Sequence, residues 1–297
     1  MKSTIVISSF KEPNLKKAVE SALNQDSSVE YDVLVVAPDK EAEDLVNSYK
    51  KIGKRINFLK DPGKGKSFGL NLAFKKLKSD IWIFTDGDVY FDNEVLKNII
   101  SAFKDEKVGC VCGRIIPTNN KKTRIGYWAH LLADAGADTI RKKLSNQNRF
   151  LECSGYLFAF RKGLISEIPL NVAEDSYIPY VIFRQGYKIK YVSESIVYVK
   201  NPDTLKDFIK QRIRTAKAHT SLTDYFKDFP RVKSFKNEIK EGTFSALRYP
   251  KNLKEFIWTI ELFFVRLYIW TRKFYDEKIA SKHFYSDGWE RVESTKK

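Results

Sequence analysis

Cysteine and histidine are scarce in this chain, three of each in 297 residues. The odd number of cysteines (Cys110, Cys112, Cys153) gives no closed disulfide framework, and a strand-like run begins at once with no signal peptide ahead of it. The expected compartment is therefore the reducing cytoplasm. Cys110 and Cys112 stand two apart in Val108-Gly109-Cys110-Val111-Cys112-Gly113, where alternate residues share one strand face. That makes them small core residues rather than metal ligands, since a zinc site needs more partners. His130, His219 and His283 are scattered without ligand spacing. Internal repeats and low-complexity tracts are lacking, and so is an apolar run of the roughly 20 residues that span a bilayer. The densest candidate, Phe256 to Trp270, is interrupted by Glu261 and Arg266. There is no P-loop either: the G-x-x-x-x-G-K-[ST] spacing would require glycine where Lys60 stands, which disfavours a nucleoside triphosphatase.

What is present is positive charge on an otherwise ordinary globular composition. The hydrophobic content of 43% supports a large core, and 53 basic against 37 acidic residues leave a net charge of +16, which favours anionic partners such as phosphate-bearing substrates, anionic lipid or nucleic acid. Residues 231–297 hold 15 basic and 9 acidic groups, so the tail is about twice as basic per residue as the rest, which tilts it toward a negatively charged surface.

Hydrophobic periodicity then gives an alternating order. Thr4 to Ser9 reads as a strand, Asn14 to Asn24 as a helix with Leu15, Ala18, Val19 and Ala22 on one face, and Tyr31 to Ala37 as a strand parallel to the first. Asp39 to Lys51 reads as a helix, Ile56 to Leu59 as a strand, Gly69 to Leu77 as a helix, Asn93 to Phe103 as another and Val108 to Ile116 as a further strand. Beyond that the alternation loosens: Val172 to Gln185 reads as a helix interrupted by Pro179, Lys188 to Val192 and Ser195 to Val199 as extended, with a helix after Pro202-Asp203.

Ile81-Trp82-Ile83-Phe84-Thr85-Asp86-Gly87-Asp88 is the most informative stretch. Its apolar run predicts a strand buried on both faces, and ligands of open α/β sheets gather beyond the carboxyl ends of such strands. Two carboxylates there suit a divalent cation bridging a diphosphate; the other reading of Asp-Gly is a hairpin turn. Asp61-Pro62-Gly63-Lys64-Gly65-Lys66-Ser67 opens a helix and offers backbone N–H groups with Lys64 or Lys66 to phosphate, or is a solvated turn. Glu174-Asp175 is an acidic pair in apolar surroundings, suited to proton transfer or to capping a helix. In the helix after Asp203, Leu205, Phe208, Ile209, Arg212, Ile213 and Ala216 form one stripe, whereas Gln211 and Arg214 share another face, as a solvated surface pair would.

The succession Val6-Ile7-Ser8-Ser9-Phe10-Lys11-Glu12, Gly65-Lys66-Ser67-Phe68-Gly69-Leu70-Asn71, Asp86-Gly87-Asp88, Gly155 with Arg161, Glu174-Asp175 and Gln211-Arg212-Ile213-Arg214 resembles family 2 glycosyltransferases over about residues 3–218. The resemblance implies a GT-A fold, a Rossmann-like, mostly parallel mixed sheet flanked by helices. It also implies a nucleotide-diphosphate sugar donor, UDP- or GDP-linked, Mg²⁺ or Mn²⁺, and inversion at the anomeric carbon. Glu12, Asp39, Lys66 and Asp86 would lie around the nucleoside, Asp88 with Asp86 would hold the metal, Asp175 beside Glu174 would be the base, and Gln211 and Arg214 would face the diphosphate. Two departures stand out. Ala37 and Pro38 precede Asp39 where the family often has consecutive aspartates, and Thr215 follows Arg214 where processive synthases resembling cellulose and hyaluronan synthases carry tryptophan.

The expected organisation is a catalytic domain over residues 1–220 and a helical, basic, aromatic-rich extension over 221–297. The extension would pack on the catalytic domain or another subunit, or lie in the interface at the cytoplasmic face of a membrane, which would bring the enzyme to a lipid-linked acceptor; the expected acceptor is a carbohydrate or a lipid-linked one. Nucleic acid is not an expected partner. Two other classes stay open: a nucleotidyltransferase, which shares an acidic metal site but has no use for the Glu174-Asp175 and Gln211-Arg214 pairs, and a non-enzymatic polyanion-binding protein, which explains the charge alone.

Overall fold

A computed structural model describes residues 1–25, 29–170, 172–228, 230, 242–278 and 295. Eight strands form one sheet: β1 (Ser3–Ser8), β2 (Tyr31–Ala37), β3 (Ile56–Lys60), β4 (Ile81–Asp86), β5 (Val89–Phe91), β6 (Val108–Pro117), β7 (Phe158–Arg161) and β8 (Lys188–Val199), in the spatial order β3-β2-β1-β4-β7-β6-β8-β5. The first four places are parallel. β7 is antiparallel to both β4 and β6, so the sheet is mixed. β1 lies between β2 and β4, with Ser8 in register with both Val36 and Asp86, so the carboxyl ends of the parallel strands are level.

The apolar runs bury both faces, as their lack of alternation predicts. On one face α1 (Leu15–Leu23), α2 (Lys40–Lys51) and α4 (Val95–Ala102) cover Ile5, Ile7, Val33, Val35, Ile81 and Ile83. On the other, α3 (Lys66–Phe74) and α7 (Glu174–Arg184) cover Val6, Val36 and an aromatic cluster in which Phe84 stacks on Phe158 and Phe160, with Phe74 and Trp82 edge-on or tilted beside them. Cys110, Cys112 and Cys153 are buried free thiols in that layer, as core residues should be, with the Cys110 and Cys153 sulfurs 3.6 Å apart.

Several expectations need correction. Asp86-Gly87-Asp88 is no hairpin tip, because β4 and β5 do not pair: β5 runs antiparallel to the end of β8 at the far edge. Lys188–Val199 is one strand rather than two, and the expected gap is a bulge: Gly113 pairs with Val192 and Arg114 with Ile196, leaving Ser193, Glu194 and Ser195 as extra residues. α3 begins at Lys66, before the expected Gly69, because Gly65 at φ 110° turns the chain straight into the helix. β5 and β7, and the helical stretch of α5 (Arg124–Leu131), a π-helical turn (Leu132–Asp138) and α6 (Thr139–Asn146), were not legible as elements.

The chain closes with α8 (Leu205–Tyr225), α9 (Thr243–Arg248) and α10 (Leu253–Lys278). α8 runs through residue 220, and its Phe208 shares a core cluster with Ile125, Trp128, Leu262 and Ile269. Trp128 donates its indole N–H to the Trp258 carbonyl (2.6 Å), the Tyr127 hydroxyl meets Thr259 (2.8 Å), and Lys217 of α8 pairs with Asp276 of α10 (2.7 Å). One face of α10 thus packs on α5 and α8. Residues 229, 231–241, 279–294 and 296–297 of the expected extension, with His283, lie outside the described residues.

Candidate active site

Each parallel strand delivers an acidic residue at or just past its carboxyl end. After β1 the chain turns through Lys11 (φ 46°), and Glu12, almost buried, accepts the Asn14 N–H through Oε1 (3.0 Å). After β2, Asp39 caps α2 by accepting the Ala42 N–H (3.3 Å) and reaches across to the Lys11 N–H (3.1 Å), so the first two strand-end loops form one unit. Ala37 and Pro38 before it do not remove this residue from the strand-end row. After β3, Asp61 is buried and takes the Gly63 N–H (2.5 Å), pinning the glycine-lysine loop; burial raises its pKa, and Asp39 adds to the rise.

Asp86 closes β4. Its Oδ1 lies 2.7 Å from Nζ of Lys66, and the same ammonium lies 2.6 Å from Oε1 of Glu174. Burial pulls the Lys66 pKa down, but the two carboxylates outweigh it and hold the group well above the ordinary lysine range. Asp86 is pushed up to about 6, first by burial and then by the like charges of Asp88 and Glu174, with Lys66 opposing. In the turn that follows, Gly87 donates its N–H to the Ser8 carbonyl (2.8 Å), and a Cβ on it would stand 2.9 Å from Oγ of Ser9, so the close approach admits only glycine between the two aspartates.

The other wall comes from the mixed half of the sheet. Thr85 donates its hydroxyl to the Tyr156 carbonyl (2.8 Å), which sets the segment before β7 against the end of β4. Gly155 donates its N–H to Oδ2 of Asp175 (3.1 Å), and its Cα points at Lys66 and Glu174, each 3.3 Å from where a Cβ would be. Ala173 is the N-cap of α7, so Glu174 and Asp175 occupy the first turn and neither caps the helix; the helix dipole favours carboxylates there. Pro179 lies inside α7 without ending it. Lacking an N–H, it leaves the Asp175 carbonyl without its i+4 donor, and Cys153 N–H supplies the bond instead (3.0 Å). The helix-breaking residue thereby fastens the first turn of α7 to the segment that carries Gly155. Arg141, buried, braces the same segment through the Glu152 and Cys153 carbonyls.

α8 brings basic charge. The buried Tyr156 hydroxyl is pushed up to about 12 by burial, then by Asp88 and Asp86, against the lowering influence of Arg214 and Arg212, so these four charges share its surroundings. Arg212, expected on the apolar stripe, lies over the Phe208 ring (5.3 Å) yet reaches the same region as Arg214. Gln211 lies one turn before Arg214, half-buried, its carbonyl accepting the Thr215 hydroxyl (3.0 Å). Lys66, Asp86, Glu174 and Asp175 thus converge, with Asp88 and Arg214 around Tyr156, while Glu12 and Asp39 line the adjoining strand ends. Sequence reasoning missed Asp61, Tyr156 and Arg212; the adjacency of Tyr156 to Gly155 was the available signal. Arg161 serves the scaffold instead, donating to the Phe103, Asp105 and Val108 carbonyls.

Carboxylates gathered at the ends of parallel strands around one lysine, on a mixed sheet of this order, define a GT-A glycosyltransferase fold. The chain belongs to glycosyltransferase-like family 2, whose family model matches residues 2–218. It is similar to an N-acetylglucosaminyltransferase of Rhizobium meliloti (24% identical, covering 72% of this chain and 54% of the relative). It is also similar to the O-antigen chain rhamnosyltransferase RfbN of Salmonella typhimurium (24%, covering 77% and 76%). The chain spans about half the length of the Rhizobium relative, and likewise of an N-acetylglucosaminyltransferase of Azorhizobium caulinodans (22% identical, covering 66% of this chain and 48% of the relative). Among solved structures, a mannosyltransferase of Pyrobaculum calidifontis in complex with GDP-Man and Mn²⁺ shares the fold with a TM-score of 0.63 at 17% identity, covering 95% of this chain and 86% of that one. S. aureus TarS 1–349 in complex with UDP-GlcNAc matches with a TM-score of 0.50 at 17% identity, covering 96% and 93%. Family membership supports the glycosyltransferase reading over the nucleotidyltransferase and polyanion-binding ones.

Proposed function

We propose that the chain moves a sugar from a UDP- or GDP-linked nucleotide-diphosphate sugar to a hydroxyl of a carbohydrate acceptor or to a lipid phosphate, inverting the anomeric carbon. The observation that carries the reading is the junction of Lys66 with Asp86 and Glu174 at 2.7 and 2.6 Å, beside Asp175, at the carboxyl ends of parallel strands. The donors named with the Pyrobaculum and S. aureus neighbours support this class of substrate. Glu12, Asp39 and Asp86 receive the nucleoside, and Lys66, Gln211 and Arg214 face the diphosphate.

A divalent ion suits the turn that Gly87 shapes. Among the described residues no three His, Cys, Asp or Glu side chains form a cage. Mg²⁺ or Mn²⁺ held by one or two carboxylates, with phosphate oxygens and water completing the shell, is what such a donor set can bind. Asp88, with Asp86, would hold it, and there it would supply charge neutralisation for the departing nucleoside diphosphate. The acceptor oxygen bonds to the anomeric carbon, the bond from that carbon to the diphosphate oxygen breaks with its electron pair leaving on the diphosphate, and Asp175 takes the acceptor proton while its Oδ2 stays on the Gly155 N–H. Glu174, engaged by Lys66, positions rather than accepts.

A panel of nucleotide sugars screened by thermal shift, with and without Mn²⁺, tests the donor side. At least one donor should raise the melting temperature, more so with the ion, and Asp88→Ala should remove that increment. Full transfer activity in both Asp88→Ala and Asp175→Asn would overturn these roles.

A further inference from the structure

We infer that the outer face of α10 docks this enzyme on an anionic lipid surface. The inner face, through Thr259, Leu262 and Ile269, is buried against α5 and α8. Opposite it, Leu253, Ile257, Phe264, Leu267, Tyr268 and Tyr275 are exposed, Leu253 at 73% and Phe264 at 68%. Successive spacings of four, seven, four and seven from Leu253 through Ile257, Phe264 and Tyr268 to Tyr275 keep them on one side of the helix, a stripe about 33 Å long at 1.5 Å per residue. Phe244 of α9, 63% exposed, adds to it. An apolar stripe of this length, interrupted by the exposed Thr271, is a docking surface rather than ordinary scattered exposure.

Charge selects the partner. Within residues 242–276 the exposed charged residues are Arg248, Lys251, Lys254 and Arg272, all basic, while Glu255 and Glu261 are half-buried. The acids of that stretch are engaged: Glu255 accepts the Lys251 N–H (2.8 Å), Glu261 pairs with Arg124 (3.6 Å), and Asp276 pairs with Lys217 and Arg272. A second copy across a two-fold axis would set this one-signed rim against itself. A surface of anionic headgroups complements both the rim and the stripe. None of the described helices is long and apolar enough to cross a membrane, so α10 would lie along the interface.

The test reads vesicle binding, which is independent of the catalytic roles above. The full chain is floated with phosphatidylcholine vesicles and with vesicles containing added phosphatidylglycerol. It should float with the anionic vesicles and much less with the neutral ones. Phe264→Asp with Tyr268→Asp should abolish flotation at an unchanged melting temperature, and Lys251→Gln with Lys254→Gln should weaken it about fivefold per lysine. Any one of three results would overturn the inference: no flotation with either vesicle, equal flotation with both, or a dimer in light scattering that the aspartate pair converts to monomer without any vesicle binding.

Discussion

The two halves of the sheet meet at Lys66 but contribute differently. The parallel half, β3-β2-β1-β4, ends in a row of acids fixed by local turns: Glu12 by Asn14, Asp39 by Ala42 and Lys11, Asp61 by Gly63. The mixed half, β7-β6-β8-β5, supplies its groups through long-range ties: Gly155 by Asp175, the Asp175 carbonyl by Cys153, Tyr156 by Thr85. In the proposed roles, the first half would hold the donor and the second would place one carboxylate beside it. Damage to the two halves should therefore separate binding from turnover.

The largest expected effect tests the division directly. Asp175→Asn should cut transfer by about 10²–10⁴-fold while leaving donor binding, read by calorimetry, unchanged. Asp88→Ala should lose both metal-dependent binding and transfer. Equal loss of binding in both variants would break the comparison.

Next comes the seam. Lys66→Met leaves the buried Glu174 and the half-buried Asp86 without their cation, and chemical denaturation should show a loss of about 3 kcal/mol, the lower end for removing one partner of a buried pair. Adding Glu174→Gln to it should recover part of the loss.

A third test uses pH. Because Asp86 in the folded chain titrates at about 6, above its ordinary range, the folded state binds its proton more tightly than the unfolded state does. Its contribution to stability is therefore fully present below the ordinary carboxylate range and is lost as pH rises to about 6. Donor capture should run the opposite way, since in the proposed role the ionised form would accept from the donor and hold the metal: nucleoside diphosphate affinity should fall about tenfold per pH unit below 6, and the profile should be flat in Asp86→Asn.

The smallest expected effect is Asp39→Ala, which removes the cap of α2 and should cost about 1 kcal/mol of stability, with a modest loss of donor affinity as the Lys11 turn loosens.

The parallel half was largely legible in the sequence. Thr4 to Ser9, Tyr31 to Ala37 and Ile81 to Asp86 are apolar runs bounded by turn residues, and burial on both faces is the condition that writes such runs. β5 and β7 are three and four residues long, too short to carry a period, and β7 is placed by its neighbours β4 and β6. Of the site, Asp86, Asp88 and Glu174-Asp175 were visible as residue types in suggestive order. The grip of Lys66 on Asp86 and Glu174 was not, because it joins residues 20 and 108 positions away by tertiary contact alone. Arg212 was assigned to an apolar stripe because helical spacing says which face a residue occupies, not how far a long side chain reaches.

Gly87 and Asp88 alone join β4, fourth in the sheet, to β5 at its far edge. In a flat sheet, strands four places apart lie about 19 Å from each other at about 4.8 Å spacing. The three Cα steps from Asp86 to Val89 reach about 11 Å at most. The sheet has to roll until its rim hangs over the tip of its middle strand, and the bulge of Ser193, Glu194 and Ser195 in β8 is where such rolling is accommodated. The position of Asp88 is therefore set by curvature: a change that flattened the sheet would drag this carboxylate out of the crevice without touching a residue in it.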